Sequence, residues 1–145
     1  MRTLTLAALF TLLSMPLGVW ANPAEPTIVL PDQLHWVAGT GPLSGIEIAP
    51  VVGDPSKPGP FVIRLRIPDG GKAAPHYHAD TERVTVLSGT FLVGVGDTMN
   101  EKAMKALPAG SFVSIPGGVH HYAMAKGVTV IQVGGNGPFE LKPVK

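Results

Sequence analysis

A series of short apolar runs, with 18 glycines and 15 prolines gathered mostly between them, predicts an all-β fold, a sandwich or a barrel. The runs are rich in Val, Ile, Thr and Phe, the side chains that pack well on a pleated surface. Only "TMNEKAMKAL" has helical composition, and it is too short to be more than a turn or an irregular excursion.

The chain opens with Arg2, the apolar run "LTLAALFTLLSMPLGVW" and then Ala21. A basic residue, a short hydrophobic stretch and small residues at its end make a secretory signal peptide, residues 1–21, with Val19 and Ala21 at the small-residue positions. Ser14, Pro16 and Gly18 interrupt the run, which is shorter than the roughly 20 residues a spanning helix needs. The expected mature chain, residues 22–145, is one domain with a single core, exported to a periplasm or secreted. Nothing in it resembles a membrane span. Loss of Arg2 with the leader leaves basic and acidic residues in balance, so the electrostatic footprint of a nucleic-acid binder is missing. The absence of cysteine excludes disulfides, thiolate metal sites and cysteine nucleophiles.

The strands follow in order: "LHWVA", "GIEIAPV", "FVIRLRI", "ERVTVLS", "TFLVGVG", "SFVSI", "VHHYAMA", "VTVIQV" and "FELK". Their boundaries are "GDPSKPGP", "PDGGKAAP", "SGT", "LPAG" and "PGG". In "FVIRLRI", alternation puts Phe61, Ile63, Leu65 and Ile67 on one face, the core side. Arg64 and Arg66 share the other face, solvated or in contact with a second subunit. In "ERVTVLS", Glu82 shares a face with Val84 and Val86, while Arg83, Thr85 and Leu87 lie opposite; with both faces partly apolar, this strand is expected to be central. A carboxylate among core valines is costly unless it is paired or bound to a cation.

His76 and His78 project to the same side of the extended segment before that strand. Alone, an H-x-H pair is a weak signal, because two solvated histidines in a loop look the same. Residues 110–125, "GSFVSIPGGVHHYAMA", supply a second cluster. His120 and His121 are adjacent on a strand, so only one can face the barrel interior. The small apolar company of Val119 and Ala123 favours His121; His120 shares the other face with Tyr122 and Met124. His35, beside Trp36 in the first run, reads as a partly exposed histidine or an oligomer contact, not a ligand.

These two stretches resemble the cupins, marked by G-x5-H-x-H-x3–4-E-x6-G and G-x5-P-x-G-x2-H-x3-N. Gly70, His76, His78, Glu82 and Gly89 fill the first motif. Gly110, Pro116, Gly118 and His121 fill the second, which ends in Ala125 where the family often has Asn. The resemblance implies a small jelly-roll β-barrel in which His76, His78, Glu82 and His121 converge on one divalent cation. Three imidazoles and a carboxylate leave one or two octahedral positions open, a set that suits Fe, Mn, Ni, Cu or Zn.

Four-ligand cupins include metal-dependent dioxygenases, and the first functional expectation is a dioxygenase or related oxidoreductase acting on a small organic molecule. The alternative is a non-catalytic module that binds or senses a metal or small ligand. No catalytic acid or base is identified in the strands. Tyr77, Tyr122 and His120 are the candidates near the site, although the strand period turns His120 and Tyr122 outward. Thr85, Leu87 and Phe112, apolar or mixed positions away from the lumen, suggest a homodimer.

Overall fold

A computed structural model describes residues 25–145, so the leader assigned to residues 1–21 lies outside the described residues. The strands are β1 (Val37–Ala38), β2 (Glu47–Val52), β3 (Gly59–Ile67), β4 (Lys72–Tyr77), β5 (Glu82–Val95), β6 (Lys105–Pro108), β7 (Phe112–Ile115), β8 (His121–Gly137) and β9 (Lys142–Pro143). All the pairings are antiparallel, and together they roll into a small jelly-roll barrel. Among the described residues, no helix is long and apolar enough to cross a membrane.

The longest strands, β5 and β8, organise the barrel. β8 pairs β5 along most of its length; on its other edge it pairs β4 near His121 and β3 from Thr129 to Gly137. β5 pairs β7 and β6 on its far side and is central, as its two partly apolar faces predict. In β3, Phe61, Ile63 and Ile67 are buried, while Arg64 and Arg66 lie on the outer face. There the Arg66 guanidinium is 3.0 Å from Glu47 and stacks 4.0 Å over the Trp36 ring. Neither arginine reaches the lumen.

The expected boundary at "SGT" is corrected. β5 runs through it as one strand, with register shifts between Val86 and Ser88 and between Ser88 and Thr90. The bulge changes which residues face inward: Val84 and Val86 are buried before it, Phe91 after it. Gly89 makes this possible with φ of 76°, and a Cβ there would lie 2.5 Å from the Thr129 hydroxyl. Thr129, fully buried, holds the bulge by exchanging hydrogen bonds with the Thr90 backbone. "VHHYAMA" and "VTVIQV" likewise merge, into β8. A glycine within a strand pattern marks a bulge as readily as a turn.

"TMNEKAMKAL" is an excursion, as expected: one turn of 3-10 helix (Glu101–Ala103) followed by β6. Val84, Val86, Ile131 and Val133 form the floor of the core, each nearly fully buried and each contributing about 1.5–3 kcal/mol by leaving water.

Candidate metal centre

β4 and β8 pair so that His76 stands directly opposite His121. His78 follows just past the end of β4, two residues on and therefore on the same side. Its backbone is held by the Pro116-Gly117-Gly118 turn, where Gly118 N–H donates to the His78 carbonyl at 2.8 Å. Gly117 lets the two segments touch; a Cβ there would lie 2.3 Å from the Ala79 carbonyl oxygen. Glu82, the first residue of β5, closes the group.

The structure brings all four residues together. Ligand atoms of His76, His78 and His121 lie within 4.8 Å of one another, and all three side chains are buried. Glu82 Oε2 is 3.1 Å from His121 Nε2 and 3.7 Å from His78 Nε2. Glu82 thus adjoins two of the three imidazoles.

The ring orientations are fixed from behind. Nδ1 of His76 is 2.7 Å from the Ala74 carbonyl, that of His78 is 2.8 Å from the Glu140 carbonyl, and that of His121 is 2.9 Å from the Val119 carbonyl. A carbonyl can only accept, so each Nδ1 carries the hydrogen, and in the neutral ring Nε2 keeps its lone pair. Nε2 of His78 and of His121 are buried and make no hydrogen bond among the described residues, although the Glu82 carboxylate stands close to both. Two lone pairs and a carboxylate facing one buried point repel unless a cation or a proton lies among them. The donor set therefore fits a divalent cation, with carbonyls behind the rings as such ligands commonly have.

Electrostatics agree. Burial above all, helped by the neighbouring imidazoles and opposed by the Ala74 carbonyl, holds the His76 pKa down to about 4. Burial also lowers His78. Burial is the largest influence on His121 too, but the Glu82 carboxylate and the Val119 carbonyl together outweigh it and raise its pKa. At neutral pH His76 and His78 present neutral nitrogens.

His120 faces away, its Nδ1 2.6 Å from Asp97 Oδ1 and its ring 5.0 Å from that of Tyr77. His35 is exposed, as expected. Tyr122 needs a correction: it does turn from the lumen, yet it is only 1% exposed. Its ring lies over Gly94, directly opposite on β5, where a Cβ would come within 2.2 Å of it, and its hydroxyl is 3.4 Å from the Asn100 carbonyl. The excursion after β5 covers it.

Sequence reasoning missed the C-terminal strap. Phe139 stacks on the His78 ring with centroids 4.0 Å apart and planes 15° from parallel, and Glu140 supplies the carbonyl behind that ring. β9 then pairs with β4 at His76 and Tyr77. The run "FELK" reads as a strand, but β9 begins only at Lys142 and a backbone carbonyl has no residue-type signature, so nothing local to Phe139 and Glu140 points to His78.

The four side chains sit in the wall of a cavity of about 210 Å³. Apart from them, its lining is apolar, with Ile63, Leu65, Phe91, Ile131 and Phe139 among the contributors.

Residues 63–133 match the family described as "Cupin domain". The fold is similar to that of the polyketide cyclase RemF from Streptomyces resistomycificus (TM-score 0.69, 13% identity, 83% of this chain and 87% of that one). An RmlC-like cupin from Shewanella frigidimarina is also similar (TM-score 0.60, 18% identity, 77% and 91%), as is KdgF from a Halomonas species (TM-score 0.60, 19% identity, 78% and 96%). At these identities the likeness is one of fold. A search of curated proteins found no match.

Proposed function

The chain belongs to the cupin superfamily, and from that premise we propose that it is an exported metalloprotein, a dioxygenase or related oxidoreductase acting on a small organic molecule. The observation that carries the reading is the pair of buried Nε2 atoms on His78 and His121, without hydrogen-bond partners among the described residues, grouped with His76 and facing the Glu82 carboxylate at 3.7 and 3.1 Å. His76, His78, His121 and Glu82 would hold one divalent cation, Fe, Mn, Ni, Cu or Zn, with Glu82 the one ligand that offsets its charge. When bound, such a cation supplies a Lewis acid and, if redox-active, a route for electrons to dioxygen. The chain's own share is positional: carbonyl-anchored imidazoles orient the donors, and the apolar walls keep bulk water from the bound molecule.

One observation favours a second reading, a binding or sensing module without turnover. Beyond the four proposed ligands, the cavity wall offers no acid or base to move a proton among the described residues. Metal analysis of protein purified without a histidine tag, followed by oxygen consumption with candidate substrates, separates the two. Stoichiometric iron or copper with metal-dependent oxygen uptake supports the oxidoreductase. Stoichiometric metal with no turnover favours the sensor, and failure to bind any of the five cations contradicts the oxidoreductase and leaves only a module that binds a small ligand without metal.

Export rests on Arg2 and the apolar run ending at Ala21, and N-terminal sequencing of the exported protein should begin near Asn22. Pairing into a homodimer rests on Phe112 and Leu87, 60% and 41% exposed on the outer face. Light scattering at micromolar concentration should return twice the monomer mass.

A further inference from the structure

Among the described residues, the wall that surrounds the four proposed ligands carries no Lys, Arg, Asp, Asn, Gln, Ser, Thr, Tyr or Trp. Every other lining residue is aliphatic, Phe, Met, Pro or Gly. The nearby cations are committed elsewhere: Arg64 Nε donates to Gln132, Arg66 pairs with Glu47, and Lys72 Nζ lies 2.6 Å from Glu101. A carboxylate, phosphate or row of hydroxyls entering this cavity away from the four ligands would be stripped of water and given nothing in return. Hydrocarbon, by contrast, gains from burial against Ile63, Leu65, Phe91 and Ile131.

Charge narrows the choice of head group. A divalent cation beside the Glu82 carboxylate leaves one net positive charge in the cavity, because among the described residues no other charged side chain lines it apart from what the histidines carry. One anionic oxygen head balances that charge; a second has no partner. Size narrows it further, since the cavity volume is only about 210 Å³.

We propose that this cavity selects a small molecule with one anionic oxygen head at the metal and an uncharged hydrocarbon body, and excludes dianions and polyhydroxylated compounds. The proposal rests on the metal reading above for the head and on the wall alone for the body.

The test uses matched six-carbon probes on the full mature protein. Divalent metal uptake is first measured by elemental analysis. Calorimetry then compares hexanoate with adipate, which differs by a second carboxylate at the far end. Hexanoate should bind at least tenfold more tightly to the metal-loaded protein, and with cobalt(II) in the site it should change the visible spectrum, placing the head at the metal. Adipate binding as tightly as hexanoate overturns the substrate class even where metal is bound, and an unchanged cobalt spectrum overturns the placement of the head. Should the protein take up no metal, the metal reading falls, and 1-hexanol against 1,6-hexanediol on the same protein decides the body. Tighter hexanol supports an apolar-bodied ligand; equal affinities overturn it.

Discussion

His120 and His121 are neighbours in the chain and opposites in surroundings. The His121 side chain is 3% exposed, anchored by a carbonyl and turned toward two other imidazoles and a carboxylate; that of His120 is 37% exposed and meets Asp97 at the surface. The two-residue period of a strand is the whole cause of the difference. The inner face of β8 therefore concentrates lone pairs that ask for a cation, while its outer face does ordinary packing and solvation. Side chains of the same type, one peptide apart, take up different chemistry because the sheet separates them.

Tyr122 shows that the outer face is not uniformly solvent, and it supplies the largest expected effect. Tyr122→Ala should cost about 3–5 kcal/mol of stability, the usual range for deleting a buried aromatic ring. The metal affinity of whatever remains folded should be unchanged, because the ring does not face the lumen. A loss below about 1 kcal/mol in denaturant unfolding would mean that the excursion over Tyr122 does not pack in solution.

The next effect belongs to the inner face. His76 has a folded pKa of about 4, below its unfolded value of 6.5. Its contribution to stability is therefore complete above pH 6.5 and lost as the pH falls through 4, because the unfolded chain takes up the proton first. The loss in metal-free protein is on the order of 3 kcal/mol. His78 adds in the same direction, whereas His121, raised by Glu82, contributes stability that is lost as pH rises through its folded pKa. Denaturant midpoints from pH 7.5 to 4.5 should fall less steeply in His76→Asn than in the wild type; equal slopes would contradict the burial of that imidazole.

A smaller effect is expected from the strap. Phe139→Ala removes the ring stacked on His78 and leaves the Glu140 carbonyl in the backbone. Metal affinity should fall about tenfold, in the range found when support behind a ligand is lost. No change in a competitive chelator titration would reduce Phe139 to a packing residue.

Much of this was legible in the chain. Period-two alternation placed Phe61, Ile63, Val84 and Val86 inward, and it separated His121 from His120. The motif spacing brought His76, His78 and Glu82 to the same place as His121. What stayed hidden depends on contacts between segments distant in sequence. The bulge at Gly89 looked like a turn because glycine serves both. Tyr122 looked solvent-facing because nothing local to it says that residues near Asn100 fold over its ring. The strap's place behind His78 was invisible because its hydrogen bond comes from a main-chain oxygen 62 residues from His78.

The central claim is that one face of β8 binds a cation and the other does not, and thermal melting of metal-free protein titrated with each divalent cation tests it most directly. The wild type should be stabilised in proportion to the logarithm of cation concentration once the site is saturated. His120→Ala should follow the wild type, Glu82→Ala should respond weakly, and His121→Ala should not respond at all. Equal loss of the response in His120→Ala and His121→Ala would contradict the account.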